Sequence, residues 1–281
     1  MTKCLIVYLL ICSTTVLIGR NVDYIPLDQI LNKVSVDITS NGGFSGKCIH
    51  FKIQNKTSDT LNIRIEAGYN LDSENDHKQD ILVVRTQELK IHKSLEFDVE
   101  GYCNQSSKGS PSKGERYRFA GYHKDSFLVL LAKFINKTHY KHNDIQHAIW
   151  SIADHHNLAS ISKDSNNLAL RKYIAAIKGE EIPWYEIKYA RSRDTTRVFS
   201  DFHEAIEGTI EFDVKYPSYI SILVKNEQGA IMKYLKKNTS KNVGHYTYDI
   251  DFQINFWPKG NYILYIVEDE SNINKFYNIK I

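Results

Sequence analysis

Hydrophobic and polar positions alternate with period two through the first third of the chain and again through its last third, with a helical period between them. Residues 34–38, 48–54 and 61–67 alternate cleanly, 80–85 is a more continuous apolar run, and 95–100 leads almost directly into Cys103. Alternation places one face of a strand on a core and the other in solvent. Turn signals at residues 41–43 and 56–59 separate the runs. Five such strands predict an antiparallel β-sandwich or open barrel, with Cys103 in a loop just past a strand end. Residues 104–116, rich in Ser, Gly, Pro and Lys, read as a polar surface loop.

After Tyr122 the period changes. Residues 125–135 predict a helix with Asp125 or Ser126 as cap and an apolar face through Phe127, Leu130, Leu131 and Phe134. In residues 143–154, Ile145, Ala148, Ile149, Ile152 and Ala153 follow the i, i+3, i+4, i+7, i+8 spacing of a buried helical stripe. Asn143 stands where a cap belongs, and Gln146 falls at the second position of a capping box, on a face shared with Trp150. Residues 166–178 predict a third helix, closed by Gly179 at C′.

Glu180, Glu181 and Pro183 mark a boundary. Beyond it, short alternating runs at 184–189, 208–214, 219–225, 230–235, 245–250, 262–267 and 276–281 are separated by turns such as 226–229 and 258–260. That spacing predicts a second β-sandwich. The expected class is therefore α+β. An N-terminal antiparallel β-sandwich or open barrel with a small helical subdomain fills residues 20–180, and a C-terminal sandwich fills 184–281.

Ahead of both, Lys3, an apolar run over 4–18 interrupted at Ser13–Thr15, and small residues near Gly19 read as a secretory signal peptide over 1–19. A membrane span needs about 20 apolar residues, so no transmembrane segment is expected. The mature chain is expected outside the cell or on its surface. Lys and Arg outnumber Asp and Glu by only 36 to 33, which excludes the strongly basic surface that nucleic acid would call for. Cys4 and Cys12 fall in the leader, leaving Cys48 and Cys103. In an oxidising compartment a Cys48–Cys103 disulfide is the default. The alternative reserves Cys103 for chemistry and leaves Cys48 a buried thiol, and cysteine counting leaves both open.

Histidines gather around the second helix (His139, His142, His147, His155, His156), but nothing completes a metal-ligand set at a recognised spacing, so solvent-facing side chains are expected. His147, beside Gln146, is the one candidate proton carrier. Motifs for nucleophile elbows, phosphate loops and zinc-protease helices are absent, and no cofactor is called for. Four sequons, at Asn55, Asn104, Asn136 and Asn238, are read as incidental.

The pair Tyr102-Cys103, followed on a helix by Gln146, Ala148, Ile149 and Trp150, resembles the thioester domains of bacterial surface adhesins, over roughly residues 40–178. In that family a Cys thiol and a Gln side chain join in an internal thioester that later captures an amine. The resemblance implies Cys103 as nucleophile, Gln146 as acyl donor, and Tyr102 and Trp150 as shields against water. It also implies a protein or amine-bearing surface as partner, and single-turnover capture rather than turnover. The other reading is a non-covalent extracellular scaffold, in which Gln146 caps its helix, Trp150 is core and Cys103 pairs with Cys48. Residues 226–229 and 257–264 are similar to pieces of the C-terminal Ig-like domains of exported Bacteroidetes proteins. The last strand lacks the strong basic character of the versions that act as type IX sorting signals.

Overall fold

A computed structural model describes residues 22–190 and 199–281. The leader expected over 1–19 lies outside the described residues. The first unit is built from β1 (Ile25–Pro26), β2 (Val34–Ser40), β3 (Ser45–Asn55), β4 (Leu61–Ile65), β5 (Tyr69–Ser73), β6 (Ile81–Val83), β7 (Gln87–Ile91), β8 (Ser94–Cys103) and β9 (Arg116–Tyr122). Six of these close into a barrel of order β2-β3-β8-β6-β5-β9, and β1-β4-β7 form a small separate sheet.

The open barrel or sandwich expected from the alternation is thus a closed barrel. Closure depends on β9, which pairs with both β2 and β5. Its alternating Tyr117 and Phe119 lie between the loop expected over 104–116 and the change of period after Tyr122, a stretch to which the sequence reading assigns no strand. Register shifts in the β3–β8 ladder at Gly46/Ile49 and in the β5–β9 ladder at Tyr69/Leu71 bend these strands, as bulges do at barrel corners. β5 is buried on both faces, so it carries no period-two signal. Phe51, Ile53, Leu71, Ile81 and Val99 fill the interior.

Three helices cover one end: α1 (Ser126–Ile135), α2 (His142–Ala153) and α3 (Leu168–Lys178). Asp125 caps α1, accepting from Phe127 N at 2.8 Å. The buried face of α1 is Leu128, Leu131, Ala132 and Ile135, while Phe127 and Leu130 of the expected face are about half exposed. In that run of apolar residues the periodicity fits two faces, and packing on α2 and α3 chose between them. α3 ends at Gly179, whose φ of 65° is the left-handed cap expected for glycine.

The second unit holds β10 (Tyr185–Tyr189), β11 (His203–Val214), β12 (Ser218–Asn226), β13 (Ile231–Lys241), β14 (Gly244–Gln253), β15 (Asn261–Glu268) and β16 (Asn272–Lys280). They form two antiparallel sheets, β10-β11-β14 and β13-β12-β15-β16. Ile206, Ile210 and Phe212 of one sheet share a core with Ile220, Ile222, Leu264 and Ile266 of the other. The first unit contributes Ala159 to that core. Arg171 on α3 also donates to the carbonyls of Pro183 (2.8 Å) and Tyr185 (2.9 Å). The helices therefore form the seam between the units. Among the described residues no helix is long and apolar enough to cross a membrane.

Candidate functional site

Cys103 is the last residue of β8, paired with Ile81, and its N–H donates to Phe44 O at 3.1 Å. It is fully buried, not displayed in a loop as the sequence suggested. Polar bonds fix the chain that follows. Asn104 Nδ2 donates to Asn70 Oδ1 (2.8 Å), and Gln105 Nε2 to Asp80 Oδ2 (2.9 Å). Ser106 N donates to Asp154 Oδ2 (2.6 Å), and Ser106 Oγ meets His156 Nε2 (2.9 Å). The start of the expected surface loop is therefore stitched to the C-terminal end of α2. The sequon at Asn104 is buried, and the side chains of Asn55, Asn136 and Asn238 are all hydrogen-bonded within the fold.

α2 begins two residues earlier than its capping box proposed. Lys141 is the N-cap, with no side-chain bond, and Gln146 lies beyond the first turn. Two tertiary contacts set that start. Tyr102 Oη is in hydrogen-bond contact with His142 Nδ1, and Asp144 Oδ1 accepts from Ser162 N at 2.9 Å. Asp144 is also favourably placed for the helix dipole. Released from any capping role, the Gln146 side chain enters the barrel end and donates from Nε2 to the Cys103 carbonyl at 2.6 Å. Gln146 is as buried as Cys103, and its Oε1 has no hydrogen-bond partner.

Trp150, one turn on, packs in the same core cluster as Cys103. Tyr102 is fully buried, its hydroxyl donating to Glu100 Oε1 at 3.0 Å. Glu100 pairs in turn with Arg85 (3.6 Å), and Arg85 donates to Thr138 O (2.9 Å) beyond α1. The fold thus brings Tyr102, Cys103, Gln146 and Trp150 together. His147, one residue round the helix, makes no hydrogen bond to Cys103 or Gln146 among the described residues. Its ring packs against Trp150, Tyr189 and Phe199, with centroids 5.9, 6.5 and 6.2 Å away. His139, His142 and His155 are exposed as expected, but His147 and His156 are not.

The disulfide of the scaffold reading is not formed. Cys48 and Cys103 are both free, buried thiols, and Cys48 Sγ is turned to the Gly101 carbonyl at 3.3 Å. Burial pushes Cys48 up to about 12 and Cys103 well above the usual thiol range, with Cys48 and Asp80 adding to the latter. Burial also lowers His147 to about 4, helped by His156, and lowers His156 itself. At neutral pH the site holds a neutral thiol, a carboxamide and neutral imidazoles, which is the condition of a water-poor pocket.

A second signature marks the same place. Gln146 Oε1, His147 Nδ1, Trp150 Nε1, His156 Nδ1 and Asn104 Oδ1 are all buried without a hydrogen-bond partner. Such atoms are rare in folded proteins and cost about 1–3 kcal/mol each. Their concentration around α2 separates this region from ordinary core. Sequence reasoning missed Ser106, Asp154, His156, Tyr189 and Phe199. Only the crossing of two chain segments identifies them, and no local pattern reports that crossing. Among the described residues no cluster of His, Cys, Asp or Glu has the geometry to hold a metal ion. No protein-family model matches the chain, and no curated protein matches it.

Proposed function

We propose that this chain is a secreted or surface-exposed binding protein whose Cys103 and Gln146 form an internal thioester for covalent capture of an amine. One observation carries the reading: the Gln146 carboxamide is buried against the Cys103 backbone at 2.6 Å, with its carbonyl oxygen unpartnered. In the forming step Cys103 Sγ attacks the Gln146 side-chain carbonyl carbon. The C–N bond breaks, the thiol proton passes to the leaving nitrogen, and ammonia departs. In the capturing step a target amine attacks the thioester carbonyl, an amide forms, and Cys103 leaves as a thiol. Each molecule acts once.

Burial opposes the thiolate that the first step needs. The same burial would preserve the product by excluding water. His147 is kept neutral by burial and its ring packs on Tyr189 and Phe199, so the direct passage of the proton from thiol to leaving nitrogen needs no help from it. The expected leader supports an extracellular or surface location. The strand order β10-β11-β14 against β13-β12-β15-β16 supports an Ig-like reading of the second unit, with its fourth strand beside the third.

Intact mass of the native protein tests the reading. It should be lower than the sequence mass by one ammonia, and methylamine should add to the protein and consume the bond. Cys103→Ala and Gln146→Ala should each abolish the loss, while Cys48→Ala should leave it. Gln146→Ala is the cleaner change, since no cap is lost. Glu would instead place an acceptor against the Cys103 carbonyl. The scaffold reading has its own support, because the Gln146–Cys103 bond also pins α2 to the barrel. A mass with no ammonia missing and no response to methylamine selects it.

A further inference from the structure

We infer that the second unit completes the site: Phe199, backed by Tyr189, is the cover that keeps water and small amines from the Cys103–Gln146 pair. The chemistry of this inference rests on the thioester reading, but its geometry does not. The Phe199 ring lies 4.2 Å from the His156 ring, 5.2 Å from Tyr189 and 5.5 Å from Trp150, centroid to centroid. It packs on the core cluster that contains Cys103 and Trp150. On its other side Phe199 lines a cleft of about 320 Å³, together with Asp154, His156, Tyr189, Asp201 and His203. The Phe199 and His156 rings therefore stand between the cleft and Trp150, which packs in the Cys103 cluster.

Among the described residues the cover is apolar ring against ring, with no hydrogen bond between its side chains. His147 Nδ1, Trp150 Nε1 and His156 Nδ1 lie beneath it without partners. A packing that leaves three buried polar atoms unsatisfied gains less from being closed than an ordinary core does. That makes it the weakest part of the enclosure, and the cleft the route by which an amine arrives. The cleft wall is of mixed charge, Asp154, Glu180 and Asp201 beside Lys178, Lys259 and Lys280, and its volume admits a flexible alkylamine such as a lysine side chain.

The test uses the full mature chain as wild type, Phe199→Ala, Phe199→Leu and Tyr216→Ala. Tyr216 is an exposed aromatic of the same unit that does not line the cleft. Intact mass follows the loss of the thioester over time, in buffer and in methylamine. Phe199→Ala should accelerate both hydrolysis and amine addition by at least about tenfold. Phe199→Leu, which keeps apolar bulk, should lie near wild type, and Tyr216→Ala should match it. Unchanged rates in Phe199→Ala, with the ammonia loss present, overturn the cover and leave the thioester standing.

If wild type lacks no ammonia, the thioester reading falls and the cover is read from the free thiol. Alkylation of Cys103 by iodoacetamide, located by peptide mapping, should then be faster in Phe199→Ala than in wild type and Phe199→Leu. Equal alkylation rates overturn the inference in that case as well.

Discussion

Gly101 stands two residues before Cys103, and a Cβ built there would lie 2.4 Å from Ile81 Cγ2. Ile81 is the residue paired with Cys103 across β6 and β8, so the close approach of these strands depends on a missing methyl group. Gly101→Ala should force the ladder apart beside the site and destabilise the protein by about 1–3 kcal/mol, the usual cost of overpacking. Urea denaturation measures it, and a variant as stable as wild type would show that the strands can separate freely. His147 gives a second residue-scale expectation. Its imidazole is lowered from 6.5 to about 4 by burial, so the unfolded chain binds the extra proton between those values. Stability then rises with pH across that window and is lost as pH falls from about 6.5 towards 4, by up to ~3 kcal/mol. His156, also lowered by burial, acts in the same direction. Urea melts across the window should show a slope that His147→Phe reduces. A slope unchanged in the variant would assign the effect elsewhere.

At the scale of elements, the position of α2 was legible and its role was only partly so. Ile145, Ala148, Ile149 and Ile152 are buried as their spacing required. The capping box failed because a Ser/Thr/Asn-x-x-Glu/Gln pattern records only a local preference, while His142 and Asp144 meet partners 40 and 18 residues away. The nearness of Tyr102-Cys103 to Gln146 came from a motif pair. The anchoring of residues 104–106 on α2 had no signal at all. β13 shows the opposite case, a pattern whose meaning is structural. It is an edge strand, and Lys233, Lys236, Lys237 and Lys241 along it discourage pairing with another chain. Several of these lysines lie over aromatic rings, Lys241 within 4.7 Å of the Tyr246 centroid. The tie between β8 and α2 is testable by itself. Asp154→Ala removes the acceptor of Ser106 N at 2.6 Å and should cost about 1–3 kcal/mol, the range for losing a bond to a charged partner. It should also raise amide hydrogen exchange at Ser106. Exchange at Ser106 equal to wild type would mean that the 104–106 turn holds without α2.

For the whole molecule, the question is how far the two units depend on each other. The second has its own two-sheet core, from Ile206 and Phe212 to Ile266 and Ile279, and is large enough to fold as a domain. Yet its first strand is held by the first unit. Arg171 donates to Pro183 O and Tyr185 O, Asn157 Nδ2 to Lys280 O at 2.7 Å, and Ala159 closes one end of the core. A fragment of residues 184–281 should therefore fold as an all-β unit, because its strands satisfy one another. It should melt below the full chain, because β10, which carries Tyr185 and Ile187, loses Ala159 and the Arg171 bond that hold it against the core. β10 contributes two large buried side chains, and exposing them costs about 1.5–3 kcal/mol each if the strand frays. Circular dichroism and thermal melting of the fragment decide the matter. A sheet-like spectrum with one cooperative transition at a lower Tm than the full chain fits a unit that folds alone and is stabilised at the seam. Substantial helix, or no cooperative transition, would mean that the two halves fold as one body. The Cys103–Gln146 site would then lie inside a single folding unit.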